Sequence, residues 1–90
     1  MTSSIYVGQL VELSTLSTGR HGIVHSLSGG HEFCSRVANL GFTPGALLKV
    51  LQNRGHGPIL VSVRGAMVAL GRGEAARVVV KEVGDDERLS

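Results

Sequence analysis

The chain has few aromatic residues, with no tryptophan, one tyrosine and two phenylalanines among its 90 residues. Aliphatic side chains must therefore supply the core, and a single domain of this size folds with a modest margin of stability. Proteins that bind nucleic acid strands usually stack bases on several aromatic rings beside a clustered basic face. Here the formal net charge is only +2, and the arginines are spread from Arg20 to Arg88. We therefore expect no nucleic-acid partner.

Cysteine and long apolar runs are also scarce. Cys34 is the only cysteine, so no intrachain disulfide can form, and we expect a reducing, cytoplasmic location. No apolar run reaches the roughly 18 residues of a membrane-spanning helix, and residues 1–9 lack the features of a signal peptide. The sequence thus predicts no direct insertion into a membrane and leaves recruitment to the inner face of the membrane open.

Glycine is abundant, and two different periodicities meet at one glycine-containing turn. Phe33, Val37 and Leu40 recur at helical spacing, which predicts a helix over residues 31–40. Gly41 follows it, where a glycine with positive φ commonly ends a helix. Pro44-Gly45 then predicts a tight turn, after which the apolar residues alternate as they do in a strand.

Short runs of alternating valines, leucines and isoleucines predict five strands. These runs are Gly22–Leu27, Ala46–Gln52, Ile59–Val63, Val68–Leu70 and Val78–Val83. The odd spacing of the inward candidates Val24 and Leu27 indicates a β-bulge, and Arg64-Gly65-Ala66 is typical of a tight hairpin. Residues 71–76 are long enough for one helical turn. Short strands separated by glycine turns predict a mainly β fold, a small closed barrel with one packed helix.

No set of residues has the spacing of a catalytic site. The sequence contains neither a Gly-x-Ser-x-Gly nucleophile motif nor a Gly-Lys-Ser/Thr phosphate loop. Gly71-x-Gly73-x-x-Ala76 matches a dinucleotide fingerprint, but no βαβ unit surrounds it, so we interpret it as a glycine-bounded turn. We expect no enzymatic activity and no bound organic cofactor.

A transition-metal site is a weaker hypothesis. His31 and Cys34 lie three residues apart on the predicted helix, where side chains are neighbours. With His56 from a loop they would supply three ligands for zinc or ferrous iron. No recognised ligand spacing supports this set, and the alternative is that Cys34 is a small, partly buried hydrophobic residue while the histidines are solvated.

Five residues are candidates for binding a partner. Leu47, Leu51 and Leu60 would point outward if their strand neighbours point inward, and an exposed apolar patch usually marks a contact surface. The alternative is that the helix or the N-terminal segment covers them. Arg36 on the helix and Arg64 at the hairpin would add docking contacts, because arginine is enriched at interfaces. Both arginines could instead be ordinary solvated residues.

An ordered set of these motifs closely resembles the FeoA family, the small cytoplasmic component of bacterial ferrous iron transport. The matching segments are Leu13-x-x-Leu16-x-x-Gly19, Arg36-Val37-Ala38-Asn39-Leu40-Gly41-Phe42-Thr43-Pro44-Gly45, Leu48-x-Val50, Pro58-Ile59-x-Val61-x-Val63-Arg64-Gly65, Val68-x-Leu70 and Ala75-x-x-Val78-x-Val80. The resemblance covers residues 13–83. Residues 1–12 are then an N-terminal extension, and residues 84–90 are an acidic tail.

The resemblance implies an SH3-like barrel and a non-catalytic role beside FeoB, a membrane permease with a cytoplasmic GTP-binding domain. We therefore expect an accessory protein that docks on FeoB and regulates or supports ferrous iron uptake. The alternative function is a small iron or zinc carrier or sensor that uses the His and Cys side chains as ligands. The sequence leaves homo-oligomerisation open.

Overall fold

The computed structural model describes residues 9–84, which form one antiparallel sheet, two helices and a 3₁₀ turn. The elements follow in the order β1 (Leu10–Glu12), the 3₁₀ helix (Leu13–Thr15), β2 (His21–Leu27), α1 (His31–Asn39), β3 (Leu47–Gln52), β4 (Ile59–Val63), β5 (Ala66–Leu70), α2 (Arg72–Ala75) and β6 (Val78–Val83). Within these residues the strand order is β1-β6-β2-β3-β4-β5. Residues 1–8 of the predicted extension and 85–90 of the predicted tail lie outside the described residues.

The predicted mainly β fold is confirmed, with six strands among the described residues rather than five. The additional strand is β1, which pairs antiparallel with β6 from Leu10↔Lys81 to Glu12↔Val79. Only three residues make up β1, and Val11 alone packs against the core. Such a segment is too short to show a period of two, which is why the sequence pattern does not predict a strand there.

One aliphatic core holds the sheet together. Its buried side chains are Leu13, Leu16, Val24, Phe33, Val37, Phe42, Ala46, Leu48, Val50, Ile59, Val61, Val63, Leu70, Ala75, Val78 and Val80, and no polar side chain among the described residues is buried with them. Because five of the strands contribute to one cluster, the sheet must curl around it. Register shifts between Val24 and Ser26 in β2, as predicted, and between Val50 and Gln52 in β3 accommodate this curvature.

The expected closure of the barrel by strand pairing is incomplete. Strands β1 and β5 are the two edges of the sheet and are not paired with each other. The 3₁₀ helix follows β1, α2 follows β5, and these two short elements contact each other. Their buried residues Leu13 and Ala75 therefore fill part of the space where a strand pair would otherwise close the barrel.

Helix α1 ends at Asn39, one residue earlier than predicted, and Gly41 terminates it as predicted. Gly41, at φ 113°, donates its N–H to Ala38 O at 3.0 Å, and Phe42 N–H donates to Val37 O at the same distance. These two bonds form a Schellman motif, in which buried Phe42 packs back towards the helix. With nine residues in α1, no helix within residues 9–84 is long and apolar enough to cross a bilayer.

The Pro44-Gly45 turn joins α1 to the sheet. Ala46 N–H donates to Thr43 O at 2.9 Å, and Gly45 has φ 91°, the geometry of a type II turn. Val24 in β2 exchanges two further backbone hydrogen bonds with this turn, to Ala46 O at 2.9 Å and from Gly45 N–H at 2.8 Å. Strand β3 consequently begins at Leu47, one residue later than predicted.

Candidate interaction surface

The outward residues of β3 and β4 form an apolar surface. Leu48 and Val50 are buried, whereas Leu47 is 56% exposed and Leu51 is 36% exposed. Leu60, from the neighbouring strand, pairs at the level of Gln52 and is half-buried. The outward orientation predicted from strand alternation is therefore found in the structure, and no described segment covers Leu47 or Leu51.

Strand β5 extends this surface with a residue that sequence reasoning missed. Met67 is 68% exposed and pairs with Ser62 of β4. The signal was available, because Val68 and Leu70 are the alternating apolar residues of the predicted strand and Met67 lies at the position between them and Arg64 that faces the other way. Leu47, Leu51, Leu60 and Met67 are here named the β3–β5 apolar face. The exposed Lys49 lies between Leu47 and Leu51 along β3.

Arg64 lies at one end of the β3–β5 apolar face. Since Leu48 pairs with Val63, the antiparallel register places Leu47 and Arg64 at adjacent positions. The aliphatic part of Arg64 runs past Gly41, where an added Cβ would meet its side-chain carbons at 3.5 Å, and its Nη2 donates to Thr43 Oγ1 at 2.9 Å. Arg64 itself has φ 50° and Gly65 has φ 79°, as in a type I′ hairpin turn.

Arg36 belongs to a different cluster from the four apolar residues. Its guanidinium donates to Glu74 Oε2 at 2.5 Å and lies 5.7 Å from the centre of the Phe33 ring. Arg77 lies over the same ring at 5.4 Å. Together with Glu32, these side chains line an open pocket of about 280 Å³. The structure therefore does not bring Arg36 together with Leu47, Leu51, Leu60 and Arg64.

The pairing with Arg36 changes the acidity of Glu74. The Arg36 hydrogen bond is the main reason that the pKa of Glu74 lies below its ordinary value, and the Gly71 N–H, at 3.1 Å from Oε1, acts in the same direction. A carboxyl whose pKa is lower in the folded state stabilises the fold above its unfolded pKa and loses that contribution as the pH falls through its folded pKa. Both side chains are substantially exposed, so this contribution is small.

Replacing Arg36 should raise the pKa of Glu74. We expect Arg36→Gln to move the Glu74 pKa towards its ordinary value without reaching it, because the Gly71 N–H remains. Arg77→Gln is the control and should shift it less, since Arg77 acts only through its charge. An NMR pH titration of the Glu74 carboxyl measures both. Equal shifts in the two variants would contradict the assigned cause.

The three proposed metal ligands are not gathered into a site. His31 Nε2 lies 3.5 Å from Ser35 Oγ, Cys34 Sγ is directed at Gly29 O at 3.9 Å, and His56 is in the exposed β3–β4 connection. In the part of the chain from residue 9 to 84, no three His, Cys, Asp or Glu side chains are placed to hold one ion. The metal hypothesis for these residues stays a prediction.

Comparison with known proteins places this domain among iron transport proteins. The model of the FeoA domain matches residues 11–82. A candidate Fe(2+) transport protein A of Methanocaldococcus jannaschii is 31% identical over 80 residues, which cover 86% of this chain and 96% of that protein. An FeoA whose crystal structure is described as that of an iron uptake regulatory protein is 40% identical in sequence, with a TM-score of 0.79. The match covers 83% of this chain and 100% of that protein chain.

Two further structures contain the same fold, one as a separate FeoA protein and one as part of a larger repressor. The FeoA of Stenotrophomonas maltophilia, a zinc complex described as an SH3 domain protein, is 33% identical with a TM-score of 0.68, covering 76% of this chain and 86% of that one. A manganese-dependent transcriptional repressor is 26% identical with a TM-score of 0.75, and the match covers 82% of this chain but 42% of the repressor. With the fold matched and the family model spanning most of the sequence, the chain belongs to the FeoA family of ferrous iron transport accessory proteins.

Proposed function

We propose that this protein is a non-catalytic cytoplasmic accessory that docks on the FeoB permease and supports or regulates its transport of ferrous iron. The observation that carries the proposal is the β3–β5 apolar face, where Leu47 and Leu51 of β3 are 56% and 36% exposed and Met67 of β5, beyond the intervening β4, is 68% exposed. Large apolar side chains grouped on one surface are characteristic of protein contacts.

The chemistry around this face also favours a protein partner. Arg64 and Lys49 supply positive charge beside Leu47, and both side chains are exposed. An apolar centre with cationic neighbours suits a partner surface that carries aliphatic side chains and carboxylates, because arginine contacts are common energetic centres of interfaces. Arg36, held by Glu74 on another part of the surface, is proposed as a separate contact.

Copurification with FeoB tests the proposal. We expect the wild-type chain to bind the cytoplasmic domain of FeoB and the double variant Leu51→Ala, Arg64→Ala to bind it at least about tenfold more weakly, since interface anchors each contribute more than about 1 kcal/mol. Isothermal titration calorimetry measures the affinity. Ferrous iron uptake by cells that carry the double variant should fall in parallel.

A matched control is available at the far side of the sheet. Leu10 and Lys81 are an apolar and a cationic residue paired across β1 and β6, and Leu10 is 47% exposed. The double variant Leu10→Ala, Lys81→Ala should bind FeoB like the wild type. If the Leu51→Ala, Arg64→Ala variant binds FeoB with wild-type affinity, these two residues are not part of the interface. If the wild-type chain itself does not bind FeoB, the docking function is refuted.

A further inference from the structure

Arg77 is held in place by its neighbours, but none of the described residues pairs with its charge. Its backbone N–H donates to Glu74 O at 3.0 Å, and its C=O accepts from Ser28 N–H at 2.8 Å. Its side chain runs past Gly29, where an added Cβ would lie 3.1 Å from Arg77 Cδ, and its guanidinium lies over the Phe33 ring. Among the described residues this guanidinium makes no hydrogen bond or ion pair. All five of its N–H donors are therefore available to an anion.

The Arg77 guanidinium borders the open pocket of about 280 Å³ beside α1. The other charged side chains that line this pocket are Arg36, Glu74 and Glu32. Glu74 accepts a hydrogen bond from Arg36, so these two charges offset each other. Glu32 is exposed in the first turn of α1, where the helix N–H groups favour a negative charge. Among the described residues that line the pocket, Arg77 is therefore the cation left for a ligand.

The size and charge of the pocket indicate which anion fits. Its volume of about 280 Å³ lies below the roughly 300–1,000 Å³ of pockets that hold drug-sized ligands, so it suits a single side chain better than a nucleotide. Glu32 and Glu74 would repel a phosphate group, which carries nearly two negative charges. A carboxylate carries one charge and matches the planar guanidinium fork through two parallel N–H···O bonds.

We propose that this pocket binds the carboxylate of an acidic side chain of another protein, with Arg77 as the residue that holds it. Arg36 lies over the same Phe33 ring and adds positive charge beside the bound carboxylate. The site belongs to a different cluster from the β3–β5 apolar face. It is therefore a second interaction site, and it does not depend on docking to FeoB.

An NMR titration of the full chain with a short peptide tests the proposal. The probe is a capped five-residue peptide with one glutamate between two pairs of alanines, and the signal is the Arg77 Nε–H. We expect a saturable shift of this signal, with an affinity in the millimolar range. The same peptide with glutamine in place of glutamate should bind at least fivefold more weakly, because charge-assisted hydrogen bonds are about twice as strong as neutral ones. Inorganic phosphate should also bind more weakly than the glutamate peptide.

Three variants separate binding by Arg77 from a structural role. Arg77→Gln should weaken binding of the glutamate peptide at least fivefold, with thermal unfolding as the check on its fold. Arg54→Gln removes the same charge from an exposed residue of the β3–β4 connection and should bind like the wild type. Glu74→Gln removes a negative charge from the pocket and weakens the hold on Arg36, so it should tighten binding at least twofold.

The proposal is overturned if the Arg77 signal does not saturate, if both peptides bind equally, or if folded Arg77→Gln keeps full affinity. Tighter binding of phosphate than of the glutamate peptide would assign the pocket to a different anion and would also overturn it. If Arg77→Gln does not fold, the two peptides on the wild-type chain and the direction of the Glu74→Gln effect decide the question. Because these measurements use the chain without FeoB, their failure leaves the docking function standing.

Discussion

Phe42→Ala is expected to lower the free energy of unfolding by about 3–5 kcal/mol, the largest effect of any single substitution proposed for this chain. Phe42 is fully buried and is the largest of the fully buried side chains. Its backbone N–H also closes the Schellman motif of α1 at Val37 O. Truncation would leave a cavity between the helix and the sheet, at the point where the chain turns from one to the other.

Urea unfolding followed by far-ultraviolet circular dichroism measures this effect. A domain of this kind has roughly 5–15 kcal/mol of stability in total, so the expected loss is a large part of it. Phe42→Leu is the control and should cost less, because leucine refills most of the volume. A loss below about 1 kcal/mol in Phe42→Ala would show that the site collapses and that the ring does not anchor α1.

Asn53→Ala is expected to cost about 2–4 kcal/mol, given about 1 kcal/mol for each of four hydrogen bonds. Asn53 Nδ2 donates to Ser14 O at 3.1 Å and to Leu16 O at 2.7 Å. Its Oδ1 accepts from Gly55 N–H at 3.0 Å and from Arg72 Nη2 at 2.7 Å. One amide thus ties the 3₁₀ helix, the β3–β4 connection and α2 together.

The neighbouring Gln52 supplies the matched control. Its amide is exposed, so Gln52→Ala should change the stability by no more than about 0.5 kcal/mol. A double-mutant cycle with Arg72→Met should show that the two losses are less than additive, because both variants remove the same Asn53–Arg72 hydrogen bond. Strict additivity would mean that this bond contributes nothing to stability.

The elements predicted most accurately were those with local causes. The helix, its glycine end, the Pro44-Gly45 turn and the β4–β5 hairpin each follow from residues within a few positions of one another, and all are present. The unpredicted features depend on distant partners. Strand β1 exists because β6, far along the sequence, pairs with it.

In the candidate site, too, local sequence predicts some residues, whereas the environment of others depends on contacts with distant residues. Strand alternation alone was sufficient to predict that Leu47 and Leu51 are exposed, and the same rule applied to β5 would have identified Met67. The environment of Arg36 could not be predicted from the sequence, because its partner Glu74 is 38 residues away and the two side chains meet only in the folded chain. Asn53 could not be identified either, because nothing in its local sequence indicates hydrogen bonds to Ser14 and Leu16.

The strand order has a consequence for how the nascent chain folds at the ribosome. Strand β2 lies between β3 and β6, and β6 pairs it from His21↔Val83 to Leu27↔Val78. Until residues 78–83 emerge, β2 has one side unpaired and β1 has no neighbour at all. Local elements such as the β4–β5 hairpin can form early, but the sheet can be completed only after nearly the whole domain has been synthesised, so its final assembly is a late step.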